Sequence, residues 1–205
     1  MTVQEISSIA SLPIMTEAAH QVYPIATLYI VATPIGNVTD ISLRALHLLS
    51  LADAVACEDT RNTAHLLTRF GLNKPLIAAH QHNEREVAET LIARLHAGER
   101  IALVSDAGTP AVSDPGARIV DAVRAAGLRV LPLPGPSAAI TAISASGLLN
   151  DQFYFVGFLP AKAKQRENIL HGLRGVTATM VFYEAPHRIL DCATALAAAF
   201  EPTRQ

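Results

Sequence analysis

A short apolar run, Ile101-Ala102-Leu103-Val104, passes directly into Ser105-Asp106-Ala107-Gly108-Thr109-Pro110-Ala111-Val112-Ser113-Asp114-Pro115-Gly116. Apolar residues then follow at Ile119, Val120, Val123 and Ala126. An apolar run bounded by turn residues reads as a buried strand, and the later spacing is that of one helix face. The loop between them therefore stands at the carboxyl end of a strand and opens a helix, which is where open α/β sheets bind ligands. Its glycines and prolines fix the backbone and let a ligand come close to it. Asp106, beside Ala107-Gly108-Thr109-Pro110, reads as a ligand-binding side chain. Asp114 has two readings, a ligand contact or a cap on the following helix.

The same order of strand, polar cluster and helix recurs along the chain. Strands are expected at 28–32, 54–57, 75–78, 101–104 and 128–131. Helices follow from Asp40, after Arg61, over 84–98, over 117–126 and over 137–146, with Gly71 stopping the second of them. This alternation predicts a mostly parallel sheet with helices on both faces and the polar clusters gathered on one rim. Beyond Gly147 the pattern changes. An aromatic strand over 152–156 is followed by the basic segment Pro160-Ala161-Lys162-Ala163-Lys164-Gln165-Arg166 and a helix. A strand over 179–183 then ends in Glu184-Ala185-Pro186-His187-Arg188, and an alanine-rich helix ends near Phe200. The expected organisation is a mobile extension over 1–26, an α/β domain over 27–148 and the start of a second α/β domain over 149–205. The last part, about 55 residues, is too small for a core of its own, so it packs against the first domain or the chain is a piece of a longer one.

Composition removes several function classes. At a net charge of −2 nothing global marks a nucleic-acid partner, although a local basic groove is compatible with that balance. The two cysteines, Cys57 and Cys192, are isolated, which fits a reducing cytoplasm. No apolar run reaches the ~18 residues of a membrane span, and the first residues lack the basic start and apolar core of a signal peptide. No GxGxxG follows the first strand, whose loop is Thr33-Pro34-Ile35-Gly36-Asn37, and no Walker lysine sits in a glycine-rich loop. A nucleotide-like ligand would have to be held by backbone groups of several loops.

Glu58-Asp59-Thr60-Arg61 is the most charged of the strand-end clusters. It fits a general base beside a guanidinium clamp. It equally fits a helix start in which Asp59 or Thr60 caps and Arg61 is solvated. His80 and His82 alternate and so face one side of an extended stretch, but no third ligand stands at a recognisable spacing, and no metal is expected. Lys162, Lys164 and Arg166 form a small basic cluster of the kind that is usually a solvated face. Pro186 starts a helix, with His187 and Arg188 placed to meet phosphate.

Taken in order, these clusters resemble a known family. They are Thr33-Pro34-Ile35-Gly36-Asn37 with Asp40 and Arg44, Glu58-Asp59-Thr60-Arg61, His82-Asn83-Glu84, and the loop 105–116. Pro134-Gly135-Pro136-Ser137-Ala138, Phe155-Val156-Gly157-Phe158-Leu159-Pro160 and Tyr183-Glu184-Ala185-Pro186-His187-Arg188 follow. The set is similar to the ribosomal RNA small-subunit methyltransferase I family, within the tetrapyrrole-methylase-like (class III) methyltransferases. The resemblance implies methyl transfer from S-adenosylmethionine to the ribose 2′-oxygen of a decoding-centre cytidine in 16S rRNA of the small ribosomal subunit, by a cytoplasmic homodimer. It implies a cofactor held between two α/β domains by Pro34, the loop Ser105, Asp106, Ala107, Gly108 and Thr109, the pair Ser137 and Ala138, and Tyr183 with Glu184. It also implies a chain that continues beyond Gln205. With it, Glu58 or Asp59 is the expected base and Arg61 the orienting cation, while Lys162, Arg166, His187 and Arg188 are the expected RNA contacts. The rivals are a small-molecule, tetrapyrrole-type methyltransferase and a non-catalytic cofactor-binding fragment.

Overall fold

The computed structural model describes residues 13–201, which divide into two compact units between Ser137 and Ala138. In the first unit, β1 (Thr27–Val31), β2 (Ala54–Cys57), β3 (Leu76–Ala78), β4 (Arg100–Val104) and β5 (Arg129–Leu133) form a parallel sheet in the order β3-β2-β4-β1-β5. The inner strands are nearly pure apolar runs because both faces are covered. Side chains alternate across the pleat. Tyr29, Val31, Val55, Cys57, Ala102 and Val104 face one side. There they meet Leu48 and Leu49 of α2 (Leu43–Leu51) and Leu67 of α3 (Thr60–Arg69). Leu28, Ile30, Ala56, Ile101 and Leu103 face the other side, against Leu91 and Leu95 of α4 (Glu84–His96) and Ile119 and Val123 of α5 (Ala117–Ala125).

This arrangement fixes where a ligand can enter. The chain leaves β1 and β2 toward one face of the sheet and leaves β4, which lies between them, toward the other. Neighbouring strands whose connections part in this way leave a crevice at their carboxyl ends.

The structure adds to the sequence reading in three places. The first is the expected extension, of which residues 13–26 are described. They carry α1 (Pro13–Ala19) and a buried Tyr23, whose ring lies 5.2 Å from His47 and 6.4 Å from Tyr29 and whose carbonyl accepts from Arg100 Nε at 2.9 Å. Residues 1–12 of that expected extension lie outside the described residues. The fifth strand does not stop at Leu131; it runs through Pro132, paired with Ile30, to Leu133. Proline is tolerated there because β5 is an edge strand. By compactness, α6 (Ala138–Ser146) groups with the second unit, so this division falls one helix before the expected domain end at 148.

That second unit holds β6 (Phe153–Phe158) and β7 (Thr179–Tyr183), paired in parallel with an irregularity between Phe155 and Gly157. With α7 (Ala163–Gly172) and α8 (Ile189–Ala199) it buries Leu159, Leu170 and Cys192 against Val156, Phe182 and Leu196. Among the described residues, no helix is long and apolar enough to cross a membrane.

Candidate active site

The loops at the carboxyl ends of β1, β4 and β5 are tied into one rim. Thr33 and Gly108 exchange both backbone hydrogen bonds, at 2.9 and 3.0 Å, forming an antiparallel bridge. The Thr33 hydroxyl donates to the Ser105 carbonyl at 2.9 Å, and the Ser105 hydroxyl donates to the Gly108 carbonyl at 3.1 Å. Thr109 Oγ1 donates to the Pro136 carbonyl at 3.0 Å. Glycine is required at 135, where a Cβ would lie 2.8 Å from that of Ala32. Further along the β4 loop, Ala111 and Ser113 adopt φ of 65° and 61°, a left-handed conformation uncommon for such residues.

The acidic residues of the rim take distinct roles. Asp106 is exposed at the cleft and also bonded within the rim. Its Oδ1 accepts the Asp59 N–H at 3.2 Å and its Oδ2 accepts from Asn62 Nδ2 at 2.7 Å, so it pins the start of α3. Asp59 caps that helix through the Arg61 N–H at 2.8 Å and pairs with Arg61 Nη2 at 2.6 Å. Those hydrogen bonds from Arg61 hold its carboxyl down at about 2. Asp59 thus caps the helix, and Arg61 is ion-paired as well as exposed. Glu58 differs: burial, and then the nearby carboxylates of Asp106, Asp114 and Asp59, push its carboxyl above the ordinary range. Burial and the Asp106 charge also raise Asp114, against a hydrogen bond with Ser105.

Asp114 does not cap α5. The N-cap of that helix is Gly116, and the buried Glu84 accepts the Gly116 N–H on Oε1 at 2.6 Å, with Arg118 4.0 Å from its other oxygen. Nothing local in the sequence marks Glu84 for this contact, because its partner lies in a loop 32 residues away.

A cleft of about 450 Å³ opens beside the rim. Pro34, Ile35 and Gly36 line one wall, Ser105, Asp106 and Ala107 the floor, and α3 the other wall through Asn62, His65, Leu66 and Arg69. The α3 residues fall at i, i+3, i+4 and i+7, one helical face. Sequence reasoning missed them, and their spacing was the only available signal. His80 and His82 stand with ring centroids 6.3 Å apart. Among the described residues, no three His, Cys, Asp or Glu side chains gather as a metal site.

In the second unit most of the expected contacts have their polar atoms engaged. The Tyr183 hydroxyl accepts the Ala139 N–H at 3.1 Å, beside Ala138 at the start of α6, and its ring packs edge-on against Phe155. Glu184 accepts the Ala185 N–H at 2.8 Å and lies 3.2 Å from Arg188 Nη2. Arg188 also donates to the Leu159 carbonyl at 2.7 Å, and Arg166 reaches the Pro160 and Ala161 carbonyls at 3.4 and 3.3 Å. Of the expected RNA contacts, Lys162 and His187 are the exposed ones.

Comparison with known proteins agrees with this architecture. Ribosomal RNA small subunit methyltransferase I of Escherichia coli O157:H7 is 56% identical over 164 residues, covering 80% of this chain and 57% of that protein. The protein of the same name from Xylella fastidiosa strain Temecula1 is 54% identical over 178 residues, covering 87% of this chain and 65% of its own length. The resemblance read from the ordered loops is to these proteins, and the chain spans about three-fifths of their length. In fold, the crystal structure of diphthine synthase superposes with a TM-score of 0.66 at 21% identity, covering 84% of this chain and 71% of that one. A cobalt precorrin-4 methyltransferase does so with 0.60 at 19%, covering 85% and 75%. Residues 27–205 match the profile described as Tetrapyrrole (Corrin/Porphyrin) Methylases. With its parallel sheet, tied rim and that match, the chain belongs to the tetrapyrrole methylase family.

Proposed function

We propose that this chain carries the methyl-transfer centre of an S-adenosylmethionine-dependent rRNA methyltransferase. The acceptor is the ribose 2′-oxygen of a decoding-centre cytidine in 16S rRNA of the small ribosomal subunit. The names of the relatives support the substrate class. The chemistry is supported by one arrangement, the half-buried Glu58 at the end of β2, whose carboxyl is raised first by burial and then by the neighbouring carboxylates of Asp106, Asp114 and Asp59.

The rim suits a ligand gripped by backbone. Gly36 opens onto space, since a Cβ there would meet nothing within 4 Å, and Gly108 turns at φ +79° to face Ile35. Pro34 and the loop Ser105–Ala107–Thr109 would hold the cofactor there, with Ser137 and Ala138 next along the chain from the Pro134-Gly135-Pro136 turn. When bound, S-adenosylmethionine supplies a sulfonium methyl, already a strong electrophile. The chain's task is to orient the sugar and remove its proton. Glu58 accepts the 2′-hydroxyl proton as the oxygen–carbon bond forms and the sulfur–carbon bond breaks. Asp59 and Arg61, locked to each other, hold the loop that presents Glu58 and leave Asp59 too acidic to serve as base. Lys162 and His187 remain the proposed RNA contacts in the second unit, and a cytoplasmic homodimer the proposed assembly, which light scattering would test.

The test is transfer of labelled methyl to small ribosomal subunits lacking this modification. Label on a cytidine 2′-oxygen that Glu58→Gln abolishes, with cofactor affinity retained, supports the assignment. Label on a small tetrapyrrole and none on rRNA would move the chain to the small-molecule branch.

A further inference from the structure

The cleft beside the rim is polarised along its length. Asp106, coupled in charge to Glu58, lies on its floor, while His65 and Arg69 stand exposed on the α3 wall. Ile35, Val38 and Leu66, all half-buried, add an apolar stretch to the lining. Among the described residues, neither His65 nor Arg69 pairs with a carboxylate. Four other arginines near polar groups are committed: Arg61 to Asp59, Arg94 to Glu99, Arg188 to Glu184, and Arg166 to backbone carbonyls. Arg69 is thus a cation available on a cleft wall, one helical turn from an imidazole on the same face.

We infer that Arg69, with His65 as a neighbouring N–H donor, holds a backbone phosphate of the RNA strand whose target ribose lies toward Glu58. The inference deepens the rRNA reading and rests on it. Arg69 lies about two helical turns along α3 from Asn62, which binds Asp106, so it offers a phosphate a grip away from the acidic floor. Ile35, Val38 and Leu66 then face sugar or base, which have apolar surfaces to cover. A guanidinium suits this task because its planar fork matches phosphate oxygens. Arg69 acts on affinity and orientation, not on proton transfer.

The experiment uses a cytidine-containing single-stranded oligoribonucleotide. Its binding to the full chain is followed by fluorescence anisotropy across a salt series at fixed pH, and S-adenosylmethionine binding is measured separately by calorimetry. Arg69→Ala is expected to weaken RNA binding and to flatten the plot of log affinity against log salt by about 0.7, the contribution of one phosphate contact on a single strand. Arg69→Lys should keep the slope. Arg124→Ala, which removes an exposed cation in the last turn of α5, should change nothing. Cofactor affinity should be the same in every variant. An unchanged slope in Arg69→Ala, with RNA and cofactor both bound by the wild type, overturns the inference and leaves the rRNA reading intact. Loss of cofactor affinity in Arg69→Ala also overturns it, by putting Arg69 in the cofactor's own site. Cofactor binding without any RNA binding by the wild type overturns the rRNA reading itself, and this inference with it.

Discussion

Replacing Glu84 with alanine should destabilise the first unit by about 2–4 kcal/mol, and the estimate follows from three contacts. The carboxylate is buried and accepts the Gly116 N–H at 2.6 Å, at the first turn of α5. A hydrogen bond to a charged group contributes about 1.5–3 kcal/mol, and a buried donor left without a partner costs about 1–3. A negative charge at a helix start adds a few tenths to about 1 kcal/mol. The third contact is weak: Arg118 is 80% exposed and 4.0 Å away, so Arg118→Ala should change stability by about 0.5 kcal/mol or less. Glu84→Gln keeps an acceptor for Gly116 and loses only the charge, and should cost about 1 kcal/mol, since charge assistance roughly doubles such a bond. Urea unfolding measures the series, with the alanine variant shifted by about 1 M at ordinary slopes. Hydrogen exchange at the Gly116 amide reads the bond directly. A midpoint for Glu84→Ala within about 0.5 kcal/mol of wild type, or a Gln variant as damaged as the Ala one, would refute the hydrogen-bond account.

Further predictions concern the acids and one glycine. Activity should rise with pH through an acidic limb set by Glu58 and lying above the usual carboxylate range, and Asp106→Asn should move that limb to lower pH by removing a repelling charge. The same raised carboxyl makes Glu58 a stabilising influence at low pH that is lost as pH rises through its folded-state value, which a pH series of urea midpoints on Glu58→Gln checks. Asp59 has the opposite sign: its contribution is present above the ordinary aspartate value and is lost as pH falls toward about 2. An NMR titration should find it there in the wild type and higher in Arg61→Ala, though still below the ordinary value because the residue-61 N–H bond remains. Gly135→Ala should cost about 1–3 kcal/mol in urea unfolding through overpacking against Ala32.

Much of the fold was legible because the strands of a covered parallel sheet are short apolar runs, and β2 and β7 fall where those runs predict. The misreadings share a cause. Pro132 stops a central strand but not an edge strand, and which strand lies at the edge is decided by the order of the whole sheet. Tyr23 looks like part of a tail until His47 and Tyr29 supply its neighbours. In the site, the loops that would touch a ligand with their backbone were visible from glycine and proline alone. Side-chain roles were less so. For Asp106 the loop was visible but its protein partners, Asp59 and Asn62, were not, because they come from another strand's connection. Asn62, His65 and Arg69 look like any solvated helix face, and only the loops opposite them make that face a cleft wall.

The reciprocal bridge between Thr33 and Gly108 has a dynamic consequence. Two connections that depart toward opposite faces of the sheet are stapled at their roots, so neither can swing open without breaking both bonds. Ordering a loop residue costs about 1–2 kcal/mol, and at the rim that cost is met when the chain folds rather than when a ligand arrives. Association at this rim should therefore be paced by diffusion and orientation, with no slow closure step in its kinetics. The Thr33 and Gly108 amides should exchange with solvent as slowly as those of the central strands, opening only when the sheet itself does.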